Sequence, residues 1–409
     1  MVTVAAPKPS AGSPVQRFLD ALEIDTRLLA MAGALAVIWI GFHLLSGGTF
    51  LTPRNLWNLA VQSADIAIMA TGMVLIIVAR HIDLSVGSVQ GVVAMIMAWL
   101  MVEVFPIGVG WNWIAALLLG VAVAVAIGAF QGWWIAYRGV PAFVVTLGGL
   151  LVFRGLAWAV TEGRTVAPLD DSFTLIGGGL RGAIGAFWSW VVGGAMIAFI
   201  LVAAVMGRSQ RKRYAFALRP LWAEILVTGS AVAAVVAFVM VMNSYYRPRT
   251  DIPQGIPIPV LIVIGVALFM GFLTRSTRFG RYVFAIGGNP EAAQLAGIDV
   301  RKVTVGIFAL MGLLAGIAAA MAAARLNAGA NSIGTLNELT VIAAAVIGGT
   351  SLAGGVGTVA GAILGAVIMQ SLQAGMILLG LPSPMQNVVI GGVLILAVWV
   401  DTIYQRSRR

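Results

Sequence analysis

The chain contains no cysteine, which excludes disulfides and thiolate metal sites. Its two histidines, His43 and His81, lie too far apart to suggest a metal-binding pair. Charge is scarce: Asp, Glu, Lys and Arg make up 10% of 409 residues, against roughly 25% in soluble domains. Lysine is scarcer still. Lys8, Lys212 and Lys302 are the only ones and none follows glycine, so the phosphate-cradling G-x-x-x-x-G-K-[ST] loop is absent. The acids are isolated and form no catalytic constellation. These absences describe a chain that is not itself an enzyme, with no catalytic residue, no metal ligand and no cofactor of its own.

What the chain has is apolar mass: 60% of residues are hydrophobic and the mean hydropathy is +1.00. That mass falls into runs of about 20 residues, the length an α-helix needs to cross a bilayer core of roughly 30 Å. Fifty glycines suit close helix approach in lipid. The fold class expected is an all-α polytopic membrane protein embedded in the lipid bilayer. Its spans are expected at 28–45, 56–79, 84–105, 111–137, 143–160, 183–206, 222–242, 256–273, 303–324, 356–379 and 385–404, with a short run at 336–347. Counting that run as a partial crossing gives about 10–12 transmembrane segments.

The net charge of +10 would suggest nucleic acid as partner in a soluble protein. In a membrane protein it reads as Arg-rich cytoplasmic loops, with no nucleic-acid partner. Placing the N-terminus inside leaves Arg54, Arg164, Arg181, Arg247, Arg249 and Arg325 outside, and eighteen basic residues inside. Both termini are therefore expected to be cytoplasmic. Residues 1–27 are polar, carry three acids and lead into no small-x-small cleavage pattern, unlike a cleavable signal. The division expected is a cytoplasmic segment 1–27, with a short surface helix over 18–26, one transmembrane domain 28–404 and a tail 405–409.

Ser85-Val86-Gly87-Ser88-Val89-Gln90-Gly91 and Gly355-Val356-Gly357-Thr358-Val359-Ala360-Gly361 share the pattern x-V-G-[ST]-V-x-G, 270 residues apart. Chance likeness in a Gly/Val-rich chain is one explanation. The other is two repeated halves with interrupted helices, the way many transporters build a central pathway. Backbone of that kind survives at membrane depth only where protein or a watery cavity covers it. Candidates for the pathway or gate are Asp83, Ser85, Gly87 and Ser88 in the first break. In the second they are Gly348, Gly349, Thr350, Ser351, Gly354, Gly355 and Gly357. The glycines are expected to include positions of positive φ or close backbone contact, and Asp83 and Ser85 to cap a helix starting near Val86. The orientation above makes the halves parallel.

Two ionisable residues, Asp65 and Arg154, fall deep within spans and are functional candidates by position. Their similar depths allow either a mutual pair or separate contacts in a polar cavity. Gln62, Thr71, Gln90, Gln131, Thr146, Gln370 and Gln373 serve either a polar pathway or helix–helix hydrogen bonding. Trp111, Trp113 and Trp188 fit an interfacial belt.

The longest polar stretch between spans, 274–302, contains a helix start. Asn289 is the N-cap, Pro290 the first helical residue and Glu291 an acid in the first turn. Gly297 stands where a left-handed terminator is needed. The enclosed helix, 290–296, is too short to be stable alone. It docks either on its own membrane domain or in a groove of a cytoplasmic partner.

The run Gly280-Arg281-Tyr282, Ala285 to Ala293 and Gly297-Ile298 resembles the coupling segment of bacterial ABC-type monosaccharide importer permeases of the ribose/xylose branch. Further matches are Ile82 to Ser88, Val140 to Leu147, Phe153-Arg154-Gly155 and Ile347 to Gly357. They follow in family order from about residue 50 to 400. Trp133 to Arg138, Ala397 to Asp401 and the added stretch near 207–245 are most like the xylose-type members. His81 and Asp65 depart from the family pattern. The resemblance implies a homodimeric permease subunit in the bacterial inner membrane. It also implies an ABC ATPase subunit that uses ATP on the cytoplasmic side, and a periplasmic or extracellular sugar-binding protein. It assigns ATPase coupling to Gly287, Gly288, Asn289, Pro290, Glu291, Ala292, Ala293 and Gly297, with Ala292 and Ala293 as the docking surface. An ion-coupled secondary transporter is the alternative. It accounts for the breaks and Asp65 but leaves 289–293 without a purpose.

Overall fold

The computed structural model describes residues 22, 23, 26–105, 110–179 and 181–406. The expected surface helix over 18–26 lies almost wholly outside these, as do 407–409. Ten helices are long and apolar enough to cross a membrane. They are α1 (Thr26–Leu45), α2 (Pro53–Val78), α3 (Val86–Trp99, prolonged by a π turn at Leu100–Val104), α4 (Asn112–Arg138) and α5 (Ala142–Ala159). After a short α6 (Asp171–Thr174) come α7 (Gly185–Arg213), α8 (Leu221–Asn243) and α9 (Ile258–Ser276). Two short helices, α10 (Arg278–Gly288) and α11 (Pro290–Leu295), precede α12 (Val300–Leu326). A half-length α13 (Asn337–Ile347), then α14 (Val359–Leu378) and α15 (Ser383–Arg406) complete the chain. Each expected segment has its helix, and no strand occurs among the described residues. The protein is all-α and polytopic.

The centre is built on α2 and α12. From Ser63 to Val78 every residue of α2 is buried, and α12 is buried almost continuously from Leu314 to Ala324. Lipid offers no hydrophobic drive between helices, so they must hold together by contact and hydrogen bonding. The sequence supplies the contact. Along α4, Ala116, Gly120, Ala124, Gly128 and Gly132 recur at every fourth position and make one smooth face. Gly128 rests on the Phe308 carbonyl and Gly312 of α12 on the Ala124 carbonyl, so close that a Cβ at either would collide with backbone. In contrast, α1, α7 and α8 bury little and leave Val37, Leu44, Phe199, Val205 and Ile225 exposed, as helices facing lipid do.

Contacts between helices give the direction of each. Gly72 of α2 lies against Met311 and Leu314, while Asp65 lines a pocket with Met321, Ala322 and Arg325, so α2 and α12 are antiparallel. Gln370 of α14 bonds Gln62, and Gly357 sits on Val74 and Val78, which makes α14 antiparallel to α2. Since Gly361 and Gly365 of α14 meet Gly348 and Ala344 in turn, α13 is antiparallel to α14 and so parallel to α2. Met97 of α3 lies on Gly120 and Ser85 bonds Gln131, so α3 is antiparallel to α4 and hence to α2. The motif-bearing units α2–break–α3 and α13–break–α14 therefore run parallel, as expected, while α12–break–α13 meets α2–break–α3 in inverted orientation. The shared x-V-G-[ST]-V-x-G pattern does not mark equivalent structure. Its first copy is helical from Val86, whereas helix starts only at Val359 in the second.

Candidate functional site

Two stretches of non-helical backbone meet inside the helix bundle. The first, residues 79–85, links α2 to α3; the second, residues 327–336, links α12 to α13. Buried backbone groups need partners, and side chains from neighbouring helices provide them. Arg154 of α5 donates through Nη1 to the carbonyls of Asn331 at 3.1 Å and Ile333 at 2.9 Å. Thr146 of α5 donates to the Ile82 carbonyl at 3.2 Å. The first turns of α3 and α13 then touch. Asn337 Nδ2 donates to Gln90 Oε1 at 2.8 Å, and Gly334 lies on the Gly87 carbonyl with no room for a Cβ. A Cβ on Gly91 would stand 2.7 Å from the Ile333 carbonyl oxygen. Gln90 also donates from Nε2 to Asp65 Oδ2 and to the Ala318 carbonyl, each at 3.4 Å. One buried amide therefore ties α2, α3, α12 and α13 together.

Asp65 and Arg154 do not form the pair that their depths allowed. Helix α3 stands between them, turning Gln90 toward Asp65 and Gly91 toward Arg154. Each makes separate polar contacts, the other arrangement left open by the sequence. The cap of α3 follows expectation at Asp83 and departs from it at Ser85. Asp83 Oδ1 accepts from the Ser85 amide at 2.8 Å and from Ser85 Oγ at 2.6 Å, whereas Ser85 makes no side-chain cap bond of its own. Ser85 Oγ instead receives Gln131 Nε2 of α4 at 2.9 Å. Ser88 Oγ and Glu338 Oε2 are buried here without a hydrogen-bond partner.

A second node lies at the far end of α2. Helix α10 is N-capped by Thr277, whose hydroxyl accepts from the Gly280 amide at 3.2 Å. It ends at Gly287 and Gly288, and α11 follows at once. As the sequence predicts, Asn289 Oδ1 accepts from the Ala292 amide at 3.0 Å, Pro290 opens the helix and Gly297 adopts φ +83°. Asp299 caps the next helix through the Lys302 amide, a bond that holds its carboxyl below the usual carboxylate range. The faces of α11 fall differently from expectation. Ala293 is turned into its own protein and is buried, so it is no docking surface. Glu291, Ala292, Gln294 and Leu295 face outward, Leu295 being 90% exposed.

The glycine-rich break between α13 and α14 packs on this node. Gly349, Gly354 and Gly355 adopt φ +84°, +88° and +74°, and a Cβ on Gly357 would lie 2.9 Å from Val74 and Val78. Gly348 backs onto the Gly361 backbone. The Ser351 amide donates to the Val356 carbonyl at 2.9 Å, while Thr350 Oγ1 is buried without a partner. Thr358 caps α14 by accepting from the Gly361 amide at 3.1 Å. The Gly355 amide donates to the Val78 carbonyl at 3.0 Å, and Gly287 is wedged between Val78 and Gly355.

Ten membrane-length helices, with broken segments that meet in the interior and an exposed short helix at one end, define a polytopic membrane protein. The comparisons place it more narrowly. Residues 55–398 match the family described as branched-chain amino acid transport system / permease component, and the chain belongs to that family. It is 37% identical over 386 residues to the xylose transport system permease protein of Escherichia coli, covering 94% of this chain and 93% of the relative. Identity to the corresponding protein of Haemophilus influenzae is 39% over 380 residues, covering 93% and 97%. To the ribose import permease protein of Escherichia coli it is 33% over 352 residues, covering 86% and 87%. No solved structure gives a significant match. The chain is a multi-pass inner-membrane protein.

Proposed function

We propose that this chain is the membrane subunit of an ATP-binding-cassette importer that carries a pentose, with xylose as the cargo. The observation that carries the reading is end-to-end similarity, at 37–39% identity, to proteins named as xylose permeases. The match to the xylose-named relatives covers 93–94% of this chain, against 86% for the ribose-named one. Two copies form the pathway, and a sugar-binding protein delivers cargo from outside. An ATPase subunit engages α11 on the cytoplasmic side and hydrolyses ATP. Both termini are cytoplasmic in this reading, supported by the distribution of basic residues.

The outward face of α11 favours a protein partner there. A leucine that stands 90% exposed on this short helix would gain burial worth about 1.5–3 kcal/mol where a partner covers it. The test is uptake of labelled xylose into vesicles holding this chain with its ATPase and binding protein, compared with ribose. ATP-dependent uptake favouring xylose supports the reading. Uptake driven by an ion gradient without the ATPase contradicts it and restores the secondary-transporter alternative.

A further inference from the structure

Arg80 occupies an unusual place. It is a non-glycine residue at φ +64°, a conformation that L-residues adopt rarely and at a cost. From there its guanidinium reaches across 207 residues of sequence. Nε donates to the Gly287 carbonyl at 2.8 Å and Nη2 to the Gly288 carbonyl at 2.7 Å. These carbonyls end α10, where a helix leaves acceptors unpaired and a cation is favoured. The same turn holds the glycine-rich break. Two residues before Arg80, the Val78 carbonyl receives the Gly355 amide at 3.0 Å. A Cβ on Gly354 would collide with the Arg80 side chain, and one on Gly287 would lie 2.6 Å from the Gly355 amide nitrogen. Three segments distant in sequence are thus locked within one turn's width: the end of α2, the end of α10 and the break before α14.

We infer that Arg80 is a positioning residue for coupling, the strut through which movement of α11 reaches the 348–357 break. The inference rests on the reading that α11 engages an ATPase. Helix α11 follows Gly288 directly, so displacing α11 must move the two carbonyls that Arg80 grips. The planar fork spans both carbonyls and resists their rotation against α2, as a single-point donor does not. The break cannot stay behind, because Gly354 and Gly355 pack without side chains against the same atoms. Sequence alone gave no sign of this role, since Arg80 reads there as one basic residue among many at a span end.

The test uses Arg80→Gly, because glycine takes positive φ freely and the change removes the guanidinium without adding backbone strain. Complexes with the ATPase and the binding protein are reconstituted in vesicles, and labelled xylose uptake and ATP hydrolysis are measured together. The ATPase should still co-purify and hydrolyse ATP, while xylose moved per ATP falls by about fivefold or more, as loss of one or two charge-assisted hydrogen bonds entails. Arg80→Lys, with charge but no fork, should lie between variant and native. An unchanged ratio of uptake to hydrolysis in Arg80→Gly overturns the inference. Loss of ATPase co-purification with that variant also overturns it, by assigning Arg80 to docking. If Arg80→Gly is not monodisperse in detergent, Arg80→Gln, which can satisfy only one of the carbonyls, decides by the same ratio. Failure of the native chain to retain the ATPase would instead remove the underlying reading.

Discussion

Leu295 offers a sharp test of how α11 is used. Its side chain is 90% exposed, so replacing it by alanine removes little from the folded protein. Surface changes of this kind stay within about 0.5 kcal/mol of native stability. If the side chain fills a groove in the ATPase, the change deletes three buried carbon groups at about 0.8 kcal/mol each, or roughly 2–2.5 kcal/mol. That corresponds to about 30- to 60-fold weaker association at each α11. The measurement is titration of detergent-solubilised chain with purified ATPase, read beside the thermal unfolding of the chain alone. Weaker binding with unchanged unfolding is the expected pair of results. Unchanged affinity would refute the placement of Leu295 in a groove of the ATPase.

Further consequences follow from named contacts. Arg154→Met should strip the Asn331 and Ile333 carbonyls of their donor and cost about 1–3 kcal/mol for each unsatisfied group, read as a lower unfolding temperature in detergent. Gly355→Ala should impair transport, because φ +74° disfavours any Cβ and Gly287 lies against it. Gly194→Ala, in α7 with open space around it, should be tolerated. The chain lacks cysteine, so single cysteines report topology cleanly. Placed at Gln210 or Ser276 they should be labelled only from the cytoplasm, and at Thr250 only from outside; labelling of position 276 from outside would reverse the orientation.

Span number was legible because lipid imposes a length of about 20 apolar residues that hydropathy reads directly. The start of α11 was legible for a similar reason: Asn-Pro-Glu with a glycine seven residues after the proline specifies cap, first turn and stop locally. What failed were statements about which side chains face each other. The inverted pairing of α2–α3 with α12–α13 leaves no shared motif, because breaks in the two units are satisfied by different partners, Asp83 with Gln131 in one and Arg154 in the other. The glycine motif that does recur marks parallel units but not equivalent backbone, since one copy lies in helix and the other mostly in loop. Asp65 and Arg154 matched in depth, yet depth says nothing of α3 standing between them. On a two-turn helix, sequence could not tell that Ala293 faces inward and Leu295 outward.

In the proposed function this chain passes xylose only when an ATPase drives it. Vesicles containing the chain with its ATPase and sugar-binding protein should accumulate labelled xylose when ATP is supplied to the ATPase side. Accumulation should stop when ATP is replaced by a non-hydrolysable analogue. Equal accumulation with the analogue, or in vesicles holding this chain alone, would rule out an ATP-driven permease.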